Sequence, residues 1–160
     1  MALVVLLAPA LAGCFTSETP LIDAAEAAFP FQRLVYKSID SSDIVTLVRQ
    51  GDVYLGTSKM EPETLEFLFK PVAEGTYLVQ VKDQSHTPPT YYYGYLAVDL
   101  PGKTVRAYKI IAGEKEEGAG LRPCESNICI DRLDDYRAFV EKAIAGGETP
   151  EGEFKILEME

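Results

Sequence analysis

Between residues 33 and 111 apolar side chains recur at every second position, and turn-forming residues break the pattern at intervals. In "TLEFLFK" Leu65, Phe67 and Phe69 share one face, and in "TYLVQVK" Tyr77, Val79 and Val81 oppose Gln80 and Lys82. A period of two sends alternate side chains to opposite sides of an extended backbone, so these runs are half-buried strands. Gly51 in "RQGDVY", Gly75 in "PVAEGTY" and Pro101-Gly102 in "DLPGKT" each join two such runs, and Pro then Gly suits the central positions of a type II turn. The expected strands are 33–38, 44–49 with 52–57, 64–70 with 76–83, and 91–99 with 103–111. So many hairpin-linked strands suit an antiparallel meander that forms a curved sheet or a small barrel.

After residue 111 the pattern changes. "AGEKEEGAG", residues 112–120, reads as a solvated acidic loop. In "DRLDDYRAFVEKAIAGG" Leu133, Tyr136, Val140 and Ile144 recur at helical spacing with Phe139 and Ala143 beside them, a stripe wide enough to pack on a sheet. Asp131 is the expected cap, acids fill the first turn, and Gly146 or Gly147 ends the helix. "EFKILEM" then alternates Phe154 and Ile156 against Lys155 and Leu157, a last strand. The predicted fold is mainly β with one C-terminal α-helix packed on it. At 160 residues one core is expected, in a single domain over 31–160.

The formal net charge of −10 argues against nucleic acid as a partner, since phosphate-binding surfaces need clustered Lys and Arg. It serves solubility first, and a cationic partner stays open. The apolar run Ala2–Ala12 is far shorter than the ~20 residues that a membrane span requires. Its length suits the core of a secretory signal.

That run ends in Leu11-Ala12-Gly13-Cys14. Leu11 can fill an apolar pocket of a membrane-embedded peptidase, Ala12 and Gly13 let the backbone into a cleft, and Cys14 offers a sulfur nucleophile. The four residues resemble the lipobox of bacterial lipoproteins. The resemblance implies that residues 1–13 are a signal peptide removed on export, and that Cys14 is lipidated and becomes the first residue. Residues 14–30 would then be a lipidated tether and docking segment, with a short helix over "DAAEAA" capped by Asp23 and stopped by Pro30. The segment departs from the pattern in carrying no Lys or Arg over residues 1–13. In the lipoprotein family an Asp directly after the cysteine often retains the protein at the inner membrane; Phe15 stands there instead, so the resemblance implies the outer membrane, facing the periplasm, over the inner membrane. The other reading of Cys14 is a buried residue in an apolar N-terminal strand.

Export would place Cys124 and Cys129 of "PCESNIC" in an oxidising compartment, where neighbouring thiols pair. A bridge there closes a small loop worth about 2 kcal/mol on the chain-entropy argument. A zinc site needs four ligands and the chain has one histidine, while a redox pair keeps two residues between its thiols. With Cys14 lipidated, all three cysteines are accounted for.

No nucleophile elbow, phosphate loop, zinc-protease helix or calcium loop occurs in the chain, and no catalytic residue, cofactor or metal is expected. His86 in "QSHTPPTYYYGY" is either a general base without a visible partner or an exposed loop histidine. Tyr91, Tyr93 and Tyr95 would line one face of a strand, with Tyr92 on the other. With His86 they form a candidate binding surface, since tyrosine presents an apolar body and a polar tip; the alternative is a cross-strand aromatic cluster within the core. Two functions are expected on these grounds. The first is a non-catalytic, lipid-anchored cell-envelope protein acting as an interaction or scaffold module toward another envelope protein. The second is a lipocalin-like barrel holding an apolar small molecule or lipid.

Overall fold

A computed structural model describes residues 15–60, 63–108, 120–125 and 127–160. Eleven strands occur among them: β1 (Phe15–Ser17), β2 (Arg33–Ser38), β3 (Ile44–Gln50), β4 (Val53–Ser58), β5 (Leu65–Ala73), β6 (Thr76–Asp83), β7 (Thr90–Asp99), β8 (Thr104–Tyr108), β9 (Leu121–Cys124), β10 (Asn127–Ile130) and β11 (Gly152–Met159). One α-helix, α1 (Leu133–Ala145), lies between β10 and β11. Eight strands close a ring in the order β2-β3-β4-β5-β6-β7-β8-β11, each antiparallel to its neighbours, and β11 returns to β2. The expected meander is therefore a closed antiparallel barrel, with the segment from β9 through α1 inserted before its last strand.

Alternation decides what fills it. Leu65, Phe67 and Phe69 of β5, Val79 and Val81 of β6, and Phe154 and Ile156 of β11 all lie in one buried cluster. Leu34, Tyr36, Val45, Leu47, Leu96 and Val105 complete its walls. Residues one position out of phase face the other way, so Leu68, Leu78, Tyr93 and Tyr95 belong to a second cluster with Leu133, Tyr136 and Val140 of α1. The helix thus packs on the outside of the barrel, over β5 to β7, with Phe15 of β1 beneath it, its ring centroid 4.8 Å from that of Tyr136.

Several local expectations change. The segment 14–30, expected as a tether and docking stretch, contains a buried strand, Phe15–Ser17, that pairs antiparallel with β7 and parallel with β10. Asp23 does cap the turn after it, its Oδ1 accepting from Ala25 N at 2.9 Å, but the helix is a single 3₁₀ turn, Ala24–Glu26. At α1 the cap position falls on Arg132, whose guanidinium has no acceptor and makes no capping bond, while Asp131, one residue earlier, accepts from Arg122 Nε at 3.2 Å. The helix ends as expected at Gly146 and at Gly147, which takes a left-handed φ of 99°. In the turn Leu100–Lys103 the left-handed residue is Lys103, not Gly102, whose N–H instead donates to Asp99 Oδ1 at 3.1 Å. The expected acidic loop, 112–120, lies outside the described residues up to Gly120.

Gly56 sits where two interior side chains meet. A Cβ there would lie 2.5 Å from Phe67 Cε2 and 3.0 Å from Leu47 Cδ2, both walls of a filled core. Gly56→Ala is therefore expected to destabilise the fold by about 1–3 kcal/mol through overpacking. Phe67→Leu in the same chain should recover part of that loss, so that the two changes are non-additive in a denaturant-unfolding double-mutant cycle. Additive losses would contradict the packing.

Candidate functional site

The barrel interior is packed rather than hollow. Phe29 enters it from the chain before β2, stacks on Phe69 at 4.1 Å and 12°, and meets Phe31, Tyr54 and Tyr77 edge to face. The Tyr54 hydroxyl, directed at the carbonyls of Phe29 and Phe31, holds this plug in place. Among the described residues, a void beside Phe29, Phe69, Leu96 and Phe154 measures about 20 Å³, against ~300 Å³ or more for a small-molecule site. The Tyr36 hydroxyl is buried at the edge of this space without a hydrogen-bond partner among the described residues. Burial, with the Asp43 carboxylate a lesser cause, holds its ionisation far above the ordinary tyrosine range.

A larger concavity lies on the outside of the barrel. A groove of about 440 Å³ runs between the strap Pro20–Ala24 and a floor made by Val53, Glu66, Leu68, Gln80, Lys82 and Tyr91. The floor reflects strand parity and register. Glu66 pairs with Lys82 and Lys82 with Tyr91, so the three form one row across β5, β6 and β7; Leu68 and Gln80 form part of the next. Lys82 Nζ stands 3.9 Å from Glu66 Oε2.

Gln80 holds the strap to this floor. It is only 3% exposed, and its Oε1 accepts from Leu21 N at 2.8 Å, Ile22 N at 2.9 Å and the Tyr93 hydroxyl at 3.0 Å. Three donors on one oxygen fix which end of the amide is which. The Tyr93 oxygen also receives Leu21 N at 3.1 Å and lies 2.7 Å from Ser17 Oγ. Burial pushes the Tyr93 hydroxyl up to about 12, against a smaller downward pull from Ser17 and Leu21 N.

The candidate surface Tyr91, Tyr92, Tyr93, Tyr95 and His86 is thus dispersed. Tyr91 lines the groove, and Tyr93 lies beneath the strap in the hydrogen-bond network of Gln80. Tyr95 is buried near α1, its hydroxyl 3.4 Å from Glu141 Oε1. Tyr92 packs against the barrel core, as the opposite parity requires. His86 is exposed on the β6–β7 loop, with Asp83 Oδ2 3.9 Å from its Nε2. Gln80 and the strap are not legible in the sequence, because a glutamine on an outward strand position carries no local sign of backbone groups from a remote part of the chain.

Cys124 and Cys129 are joined in a disulfide that closes the β9–β10 hairpin, and Thr16 Oγ1 lies 3.9 Å from both sulfurs. Cys14 lies outside the described residues. Among the described residues no group of His, Cys, Asp and Glu could hold a metal ion, and no helix is long and apolar enough to cross a membrane. Comparison with models of protein families, with curated proteins and with solved structures gives no match to this chain.

The filled interior and the buried Tyr93 hydroxyl can each be tested. Phe29→Ala removes the plug's stacked ring, which should cost about 3–5 kcal/mol and leave an apolar cavity. Benzene should then raise the melting temperature of the variant and leave the parent unmoved; equal response in both would contradict a filled interior. The folded chain keeps the Tyr93 proton to a higher pH than the unfolded chain does, so its contribution is whole below about pH 10 and lost as pH rises toward 12. Tyr93→Phe should flatten the fall in unfolding free energy across that range, and an unchanged slope would contradict the burial.

Proposed function

We propose that this chain is a lipid-anchored, non-catalytic module of the bacterial cell envelope, attached through Cys14 to the outer membrane facing the periplasm, where it binds another envelope component. The observation that carries the reading is the state of the cysteines. Two of the three are joined to each other, which fits an oxidising compartment, and the third stands at the end of the Leu11-Ala12-Gly13-Cys14 run. Phe15, the next residue, is already part of the sheet, so removal of residues 1–13 leaves every described element intact.

The anchor has a physical rationale. Each buried CH₂ contributes about 0.8 kcal/mol, and two acyl chains give stable attachment where one gives only a marginal one. Because β1 starts at Phe15, the acyl chains would join a folded strand rather than a long linker, and the body would sit close to the bilayer. A protein held this way acts on what lies near the membrane surface.

The second reading, a lipocalin-like module binding a small molecule or lipid, is supported by the closed barrel, while the packed rings around Phe29 and the void of about 20 Å³ beside them argue against a ligand at that place. A binding role therefore falls to the outer surface, where the groove beneath the strap is the larger concavity.

Intact mass of the protein extracted from bacterial membranes tests the anchor. The expected species lacks residues 1–13, carries a diacylglyceryl and a further acyl group on Cys14, and gains two hydrogens on reduction. Cys14→Ser should remain uncut and lose membrane attachment through lipid. A bare Cys14 thiol with Met1 still present would overturn the reading.

A further inference from the structure

The carboxamide of Gln80 is only half used. Its oxygen takes three donors, while no described group accepts from its Nε2, although the residue is only 3% exposed. An amide N–H that no protein group accepts from is free to donate to a ligand wherever a ligand can reach it. The Nε2 atom is not sealed from solvent, and the groove is the concavity that Gln80 lines. The fold thus fixes the amide by its oxygen and presents its two N–H groups to whatever occupies the groove.

The surrounding charges restrict that occupant. Two carboxylates, Asp23 and Glu66, face the groove against one ammonium, Lys82, so the lining carries a net charge of −1 in a chain that is itself at −10. A small anion gains nothing from that balance. A cation would meet the Lys82 ammonium and the Gln80 Nε2 group, which are donors only. Donors and acceptors nevertheless stand close together, Lys82 Nζ and Glu66 Oε2 being 3.9 Å apart. Hydroxyl groups satisfy such a mixture, since each donates to a carboxylate and accepts from an amide or an ammonium without carrying charge. Leu21, Leu68 and the half-exposed Tyr91 supply the apolar wall for the carbon faces of the same molecule.

We propose that this groove is a binding site for an uncharged, hydroxyl-rich ligand of the sugar class, seated with one oxygen on Gln80 Nε2. Its volume, about 440 Å³, falls in the range of small-molecule sites. The site stands on the folded body alone, so it holds whether or not Cys14 is lipidated.

The test is a titration of the ¹⁵N-labelled protein with glucose and with maltose, sodium acetate and tetramethylammonium chloride serving as the charged alternatives. Either sugar should produce saturable shifts in the side-chain amide signals of Gln80 and in the backbone amides of Lys82 and Tyr91. Tyr91→Ala removes the ring that faces the carbon side of the sugar, while the strap's hydrogen bonds run to Gln80 and Tyr93, so it should leave the Leu21 and Ile22 amide signals in place and weaken sugar binding about tenfold. Lys82→Met, whose ion pair is with Glu66 on the floor, should weaken binding as well and keeps the test valid if Tyr91→Ala disturbs the strap. No saturable shift with either sugar, tighter binding of acetate or of the cation, or unimpaired binding by both variants would overturn the proposal.

Discussion

Strand β7 hydrogen-bonds to three strands at once, and that sharing organises the rest of the molecule. One edge is taken by β6 along its whole length, from Asp83↔Thr90 to Thr76↔Ala97. The other edge is divided: Tyr95 to Asp99 pair with β8 to close the barrel, while Tyr91 and Tyr92 pair with β1. A strand that serves a barrel with one half of an edge and an outer layer with the other half must be buried on both faces. Its sequence answers this with tyrosines at successive positions, Tyr92 toward the barrel and Tyr91, Tyr93 and Tyr95 away from it. Tyrosine suits the outward row because the rings pack under α1 while the hydroxyls reach polar partners such as Gln80 and Glu141.

The two cores do different work. The inner one is filled by rings, with Phe29 as a plug that the Tyr54 hydroxyl holds, and it leaves a void of about 20 Å³. The outer one is thinner and depends on polar bonds at its margin. There the oxygen of Gln80 gathers two backbone N–H groups and the Tyr93 hydroxyl, tying the strap to β6 and β7. On this outer layer the strap stands off the sheet and leaves a groove whose floor combines charged and apolar side chains. A barrel whose interior is given over to packing has its outer surface left for binding, which is why an interaction or binding role at the envelope is the reading we favour.

An element is legible in the sequence when the contact that determines it is local. Leu65, Phe67 and Phe69 announce β5 by alternation alone, and Leu133, Tyr136 and Val140 announce the buried stripe of α1. Strand β1 has three residues, too few to show a period, and its partners Ile128 and Tyr92 are remote in the chain. β9 and β10 have four residues each, and Pro123 lies within the first, so no strand period stands out there. Asp131 looks like a helix cap because nothing local reveals that Arg122 across the hairpin engages it. The same limit hides the site: Tyr91 can be named from its neighbours, whereas Gln80 gains its meaning from Leu21 and Ile22, and those contacts exist only once the barrel has closed.

The strap belongs to the folded body because the buried Gln80 carboxamide and the Tyr93 hydroxyl fasten it to the barrel, and the groove depends on those bonds. Native-state hydrogen exchange reads it directly at the Leu21 and Ile22 amides, both of which donate to Gln80 Oε1. Protection of these two amides approaching that of the β6 amides is the expected result, since the strap then opens only with the sheet beneath it. Exchange at the rate of an unstructured chain, with β6 still protected, would contradict this and show a strap that lies free of the barrel and a groove with only one wall.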